Sequence, residues 1–486
     1  MRGRLKCPER AIRTLIVRPP RIMGGLEKSS VQHPINIASL AAFLLSNGID
    51  TRIVDFEVEP LSDDDFAARV SDYEPDLVGF TCLSATVVAA SRLARVVKSC
   101  CPDALVVAGG PHISAMPQRS LQEFEAFDVA VFGEGEKTLL ELSQRASEGS
   151  RPVLKGVRGV AYRDGSQITI EQPRPLIRDL DALPFPARHL LNLELYRAGP
   201  TPGVADTSSR STVLFTSRGC TEDCSFCASK ITFSRRLRFR SAEHVLAEVK
   251  QCIEKFHFDH YTIDDDTFTL NRKRLAKLLE GFAQLGISWD CDTRVNAVDR
   301  DMLANMKAAG CKKVAFGIES GSDRIRKLIK KRITEEQIVT AFDAARRVGL
   351  ATEAFFIIGS HPSETLDEVK MTLRLAKRVA PDFIVVNVVT PFPGTELYNI
   401  MQAGGYMPET LDWEKFDCTH TQPSWHTQHF SSDDLVRLQR WFYLRYSLSP
   451  RFILSTLRRI KSLKALRYYV STALGFFKYL LFEKRR

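Results

Sequence analysis

No Gly-x-Gly-x-x-Gly follows the first extended apolar run, Thr14 to Arg18, which argues against dinucleotide binding of the dehydrogenase kind. Excess charge of one sign is missing from the first 430 residues. The whole net charge of +10 resides in residues 431–486, where 13 Lys or Arg face three acidic residues. Long hydrophobic runs are absent from that tail too: its longest uncharged stretch, Tyr468 to Phe477, has ten residues, about half of what a bilayer span needs. The eleven cysteines are odd in number, mostly scattered, and preceded by no secretory leader, which excludes a disulfide framework and leads us to expect reduced thiols in a cytoplasmic protein.

What is present is alternation. Over the first 145 residues, extended runs at Thr14 to Arg18, Thr51 to Phe56, Leu77 to Cys82, Ala104 to Ala108 and Val129 to Phe132 interleave with helical periodicity near 35–47, 63–72, 86–99 and 136–146. This pattern predicts an α/β unit over residues 12–150, a Rossmann-like doubly wound parallel sheet that binds ligands beyond the carboxyl ends of its strands. Those ends read Thr81-Cys82-Leu83-Ser84, Gly109-Gly110-Pro111-His112 and Gly133-Glu134-Gly135-Glu136, with glycines that let backbone approach a ligand. Residues 151–204 predict a connector: a hairpin within 153–170 turning at Asp164-Gly165, then Pro184 and Pro186, which forbid helix.

From 205 to 400 the alternation resumes. Strand candidates are Val213 to Thr216, His260 to Asp264, Ser288 to Arg294, Lys313 to Glu319, Thr352 to Gly359 and Asp382 to Thr390, with helical segments such as 241–256, 271–284, 300–309 and 364–378. Six parallel strands with intervening helices make a partial TIM-like barrel whose site lies at the carboxyl ends of the strands. Residues 401–486 form a C-terminal extension with basic amphipathic helices.

Three cysteines fall inside eight residues just after the first barrel strand: Cys220-Thr-Glu-Asp-Cys224-Ser-Phe-Cys227. Three thiolates saturate neither a structural zinc nor a cubane cluster, both normally four-liganded, so one metal position stays open to a small molecule. A zinc site completed by a distant His is the other reading of this spacing. Later strand ends carry Asp264-Asp265-Asp266, Arg294 behind Asp290 and Asp292, and Glu319-Ser320 within Gly-Ile-Glu-Ser-Gly. A carboxylate buried at a barrel mouth needs a charged or hydrogen-bonded partner.

The spacing Cys-x3-Cys-x2-Cys, with Phe226 before the last Cys, resembles the radical S-adenosylmethionine (SAM) enzymes, and residues 12–445 are similar to those that carry a cobalamin-binding domain before the barrel. The resemblance implies that Cys220, Cys224 and Cys227 hold a 4Fe-4S cluster whose fourth iron takes SAM. It implies that Arg294, Glu319 and Ser320 contact SAM, and that Asp265 and Asp266 lie near its amino group or the substrate. Cobalamin would be lined by Thr81, Ser84, Gly109, Gly110, Pro111, His112, Gly133, Glu134 and Gly135. One departure is clear: the cobalamin motif Asp-x-His-x-x-Gly is missing, since the loop after the first strand reads Arg18-Pro19-Pro20-Arg21-Ile22-Met23-Gly24-Gly25. No lower histidine is expected from it. His112 is the nearest substitute, unless it only shapes its turn or donates a hydrogen bond.

The expected activity is cobalamin-dependent methylation of an unactivated carbon in a lipid-like or tetrapyrrole substrate through a 5'-deoxyadenosyl radical, with an electron donor such as flavodoxin or ferredoxin. Radical oxidative cyclisation, as in anaerobic magnesium-protoporphyrin ester cyclase, and lipid carbon–carbon coupling are alternatives in the same setting. An iron–sulfur redox or scaffold protein without radical chemistry, and a membrane-binding module, are readings of other classes. The basic, aromatic tail suits peripheral contact with the inner face of a membrane, or a helical cap with a solvated basic face. No nucleic-acid-binding fold accompanies the charge, so no nucleic-acid partner is expected. Pro391-Phe392-Pro393-Gly394-Thr395-Glu396 is expected to line the substrate mouth. Cys291 is the scattered thiol to test for reactivity, and Cys418, His420, His426 and His429 fit no tight metal spacing.

Overall fold

The computed structural model describes residues 11–21, 31–147, 152–196, 210–417, 423–460, 466, 467 and 470. Two compact units emerge: the first takes most of the chain to Tyr196 together with Ile231–Phe233, and the second takes Met23–Gln32 and the rest of the chain after Tyr196.

In the first unit, β1 (Arg13–Arg18), β2 (Asp50–Asp55), β3 (Leu77–Thr81), β4 (Leu105–Gly109) and β5 (Val129–Val131) form a parallel sheet, and the hairpin β6 (Val160–Asp164) and β7 (Gln167–Ile170) extends it antiparallel. The order is β2-β1-β3-β4-β5-β6-β7. The parallel strands are largely buried beneath α1 (Ile35–Ser46), α2 (Asp63–Tyr73), α3 (Val87–Cys100), α4 (Pro111–Ala115), α5 (Pro117–Glu123) and α6 (Glu136–Ser147), as doubly wound sheets require, while β7 has no buried residue. Local chemistry fixes the ends. Ser62 caps α2 by accepting from the Asp65 N–H, three aspartates occupy its first turn, and Glu74 closes it at φ +47. The hairpin turns through Gly165 at φ +63, as the Asp-Gly pair predicts. The chain after β4 differs from the loop expected of Gly-Gly-Pro-His: Pro111 and Pro117 each begin a short helix, where a fixed φ and a missing N–H cost nothing.

The second unit is an open half-barrel of six parallel strands in sequential order: β8 (Ser211–Leu214), β11 (His260–Ile263), β12 (Ser288–Thr293), β13 (Cys311–Glu319), β14 (Ala351–Ile358) and β15 (Phe383–Val388). A short antiparallel ribbon, β9 (Ser217–Arg218) with β10 (Arg238–Phe239), and α7 (Ser229–Phe233) flank the cysteine segment. Outside the strands lie α8 (Ala242–Phe256), α9 (Arg272–Leu285), α10 (Arg300–Ala308), α11 (Asp323–Leu328), α12 (Glu335–Arg347) and α13 (Leu366–Val379), followed by α14 (Glu396–Ala403). Ser241, Asn271 and Thr334 cap α8, α9 and α12 through side-chain oxygens. The outer core is aromatic: Trp289 packs on Phe268 and Phe282 at 5.6 and 5.5 Å between ring centres, and Phe316 meets Phe342 at 5.1 Å.

The free edge of β15 is covered by α15 (Ser432–Ser447). The Val386 N–H donates to the Tyr443 hydroxyl at 2.8 Å, and the Gln439 amide donates to the Val386 carbonyl at 2.7 Å. The start of the basic tail is therefore a cap on the barrel. Beyond it α16 (Pro450–Arg459) leaves Leu454 and Leu457 more than half exposed. Most of residues 461–486, the inter-unit boundary near 205, Cys7, Cys418 and His420 lie outside the described residues. Of the other tail-loop histidines, His426 bonds the Thr427 carbonyl at 3.1 Å. No helix among the described residues is long and apolar enough to cross a membrane.

Candidate active site

The cysteine segment begins where β8 ends, and a carboxylate from the next strand fixes its entrance. Asp265, fully buried, accepts from the Thr216 N–H (2.6 Å), the Thr216 hydroxyl (2.5 Å), the Ser217 N–H (3.0 Å) and the Ser217 hydroxyl (2.7 Å). Burial raises its pKa and these donors pull it back. Both oxygens of Asp265 are thus spent on holding the loop. The far side of the segment is held by the turn after α11. The Ser225 N–H donates to the Ile329 carbonyl at 3.0 Å, and the Lys330 ammonium reaches Glu396 at 2.5 Å and Asp223 at 3.9 Å.

Held in this way, Cys220, Cys224 and Cys227 line a cavity of ≈ 240 Å³ at the carboxyl ends of the barrel strands. Burial raises all three thiols, Cys227 to about 11, so each binds a proton at neutral pH that a metal must displace. Around Cys224, Lys331 and then Arg294 oppose that burial effect. Among the described residues no three His, Cys, Asp or Glu side chains sit close enough to hold a single metal ion. The thiols border a space instead, and three thiols around a cavity fit a cubane cluster that would take three of its four ligands from Cys220, Cys224 and Cys227.

The remaining wall is charged. Phe226, Asp265, Asp266 and Arg294 border the cavity, joined by Glu222 and Lys331, which the sequence did not single out. The Arg294 guanidinium donates to the Lys331 carbonyl at 2.8 Å and to Asn296 at 3.2 Å, and lies 3.4 Å from the Glu222 carboxylate. Asp266 accepts from the Ser229 hydroxyl at 2.6 Å. Glu319 stands behind the wall at φ +67 and binds the Lys331 ammonium at 2.8 Å, with both side chains buried. Ser320 is fully buried, its hydroxyl 3.3 Å from that of Thr372. The structure therefore groups Arg294 with the cysteines and sets Glu319 and Ser320 one layer back.

On the cavity wall between β11 and β12, burial and the neighbouring acids Asp265, Asp266 and Asp290 push the Asp264 pKa up to about 6, while burial and Asp264 push Asp292 up to about 8. Deeper in the barrel, Lys313 pairs with Glu353 at 2.6 Å and His260 with Asp290 at 2.9 Å. Cys291 is buried beside Cys311, and burial together with that neighbour raises its thiol pKa, which disfavours the thiolate that reactivity requires.

In the first unit, the strand order places the topological switch point between β1 and β3, where such sheets seat flat cofactors. The loops after β3, β4 and β5 are tied to one another there. His112, buried, bonds Ser84 at 3.1 Å, and the Ser114 hydroxyl accepts from the Gly133 N–H at 3.1 Å. Gly110, at φ +99, is obligatory, because a Cβ would sit 2.8 Å from the Cys82 carbonyl oxygen. Glu134 accepts from the Ile177 N–H at 2.7 Å. Thr81, Gly109, Gly133 and Gly135 are half-buried and Pro111 exposed along this edge, so they fit a flat cofactor better than the inward Ser84, His112 and Glu134 do. Burial lowers the His112 pKa to about 4, leaving a neutral imidazole that ties two loops together. Arg18 pairs with Asp55 at 3.1 Å and Glu57 at 2.5 Å, while Ile22 to Gly25 of the same loop lie outside the described residues.

Known proteins match both units. The B12 binding domain model matches residues 26–143 and the Radical SAM superfamily model residues 214–376. An uncharacterised methyltransferase of Pyrococcus horikoshii is 34% identical, covering 92% of this chain and 94% of its own length. The anaerobic magnesium-protoporphyrin IX monomethyl ester cyclase of Rubrivivax gelatinosus is 29% identical, over 84% of this chain and 72% of its own. The radical SAM methyltransferase TsrM of Kitasatospora setae, solved with cobalamin and a [4Fe-4S] cluster, shares the fold at a TM-score of 0.67 and 19% identity, over 82% of this chain and 80% of that one.

Proposed function

Because the chain belongs to the cobalamin-binding radical SAM family, we propose that it is a methyltransferase acting on an unactivated carbon of a lipid-like or tetrapyrrole substrate. The carrying observation is the thiol triad, Cys220, Cys224 and Cys227, on a cavity at the barrel mouth and held from both sides. When bound, the 4Fe-4S cluster supplies the electron that cleaves SAM to a 5'-deoxyadenosyl radical, and the corrinoid carries the methyl group. The chain's own part is to hold and orient. Asp265 and the Lys330 turn fix the three thiols, and Arg294 and Asp266 offer a cation and an anion to the amino-acid end of SAM across the cavity. The edge from Thr81 to Gly135 at the switch point seats the corrin.

In this reading residues 12–150 bind cobalamin, 151–204 connect, 205–400 bind the cluster and SAM, and 401–486 cap and extend the barrel. A small low-potential protein of the flavodoxin or ferredoxin class delivers electrons in the cytoplasm. The identity to cyclase relatives favours radical oxidative cyclisation as the second reading. The excess of ten cations after residue 431, with Leu454 and Leu457 exposed on α16, supports peripheral contact with an anionic membrane that would supply an apolar substrate.

The test is anaerobic reconstitution with iron, sulfide and hydroxocobalamin, then incubation with methyl-labelled SAM, a reductant and membrane extracts. Label appearing on carbon, with corrin retained after desalting, supports methylation. A new ring or carbon–carbon bond without label supports cyclisation or coupling.

A further inference from the structure

Lys331 is a buried cation in a distorted turn. Its neighbours Lys330 and Arg332 both adopt left-handed backbone, at φ +56 and +49, without being glycine. Strain of this kind persists only where the surroundings impose it, and it gathers at functional sites. Here the surroundings are the cysteine segment itself: Ser225 donates to Ile329, and the Cys224 sulfur lies 3.8 Å from the Lys330 carbonyl oxygen. The turn thus sets the Lys331 ammonium on the cavity that the three thiols share. Glu319 takes one of its donors at 2.8 Å, and Arg294 grips its carbonyl at 2.8 Å.

The backbone opposite is shaped to admit this pair. Gly317 on β13 also borders the cavity, and a Cβ there would lie 2.5 Å from the Glu319 carboxylate oxygen and 2.7 Å from the Lys331 nitrogen. β13 shifts register between Gly317 and Glu319, and Glu319 turns to φ +67 to reach the lysine. Glu319 and Gly317 on β13 and Arg294 after β12 therefore converge on Lys331, which stays buried at the edge of the cavity that the three cysteines line.

We propose that Lys331 is the counter-ion of the thiolate triad, a positioning residue that eases the one-electron reduction of the bound cluster, with Glu319 trimming its charge. The proposal rests on the radical SAM reading of the site. Three thiolates bring three negative charges, and each electron accepted adds another. A fixed cation in a poorly solvated cavity favours the reduced form, and the nearby carboxylate opposes it. In the step itself one electron passes from an external one-electron donor, dithionite in the assay, to the cluster, and no bond is made or broken.

The experiment is a redox titration, followed by electron paramagnetic resonance, of the reconstituted full-length chain as wild type, Lys331→Met, Lys331→Arg and Glu319→Gln. The midpoint potential should fall in Lys331→Met, stay near wild type in Lys331→Arg, and rise in Glu319→Gln. If Lys331→Met does not retain a cluster, a rise in Glu319→Gln still supports the proposal, and no rise overturns it. An unchanged potential in Lys331→Met, or shifts of the same sign in Lys331→Met and Glu319→Gln, also overturns it while the radical SAM reading stands. A wild type that takes up no four-iron cluster defeats both.

Discussion

At the scale of single residues, the site depends on where carboxylates place their oxygens. Asp265 gives both to the entrance of the cysteine segment. Asp265→Ala leaves two buried N–H groups without an acceptor and should cost about 3 kcal/mol. Thermal melts of the cofactor-free chain should show that loss, and iron content after reconstitution should fall with it. Asp292 behaves differently. Its folded pKa of about 8 lies above the unfolded carboxylate range, so the folded chain holds the extra proton. Stability is therefore full below the unfolded carboxylate pKa of about 4, declines as pH rises from there to the folded value, and is flat above it. Asp292→Asn should stabilise the cofactor-free chain at pH 9, stabilise it less at pH 5 and leave it little changed at pH 3, and melts at the three pH values check this. The cysteines, Arg294 and the Asp264–Asp266 run are legible in the sequence because strand ends at a barrel mouth rarely carry such groups without reason. Lys331 and Glu222 are not, because within Lys330-Lys331-Arg332 and Thr221-Glu222-Asp223 they read as solvated charge. Only the fold shows that Lys331 and Glu222 border the cavity.

At the scale of elements, alternation of apolar runs and amphipathic periods makes eleven parallel strands readable to within a few residues, since a buried parallel strand is a continuous apolar run. What escapes is short or distorted. The helices α4 and α5 span five and seven residues, too few for a helical period to show, and the prolines that open them also read as turns. The register shift in β13 leaves no mark but Gly317. Gly317→Ala forces the Lys331–Glu319 pair aside and should destabilise the second unit by about 1–3 kcal/mol, measured by denaturant unfolding. At the edge of β15, Tyr443→Phe removes the acceptor of the Val386 N–H and should cost about 1–2 kcal/mol in the same assay. A role for α15 confined to the solvent face predicts no change.

At the scale of the whole chain, a B12 binding domain match and a radical SAM match lie in sequence order on two compact units, and a relative 34% identical spans nearly all of both. The charge is split just as sharply, with the excess of ten cations in the last 56 residues. Removing residues 450–486 should leave cluster assembly intact and abolish sedimentation with phosphatidylglycerol vesicles, whereas unchanged sedimentation would show that these residues carry no membrane contact. The central claim is that the thiol triad makes this chain a SAM-cleaving enzyme. Its most direct test is mass-spectrometric detection of 5'-deoxyadenosine after SAM and dithionite are added to the anaerobically reconstituted protein. The account predicts 5'-deoxyadenosine from the wild type and none from Cys224→Ala. An intact cluster in the wild type without any SAM cleavage would contradict it and leave an iron–sulfur redox or scaffold protein.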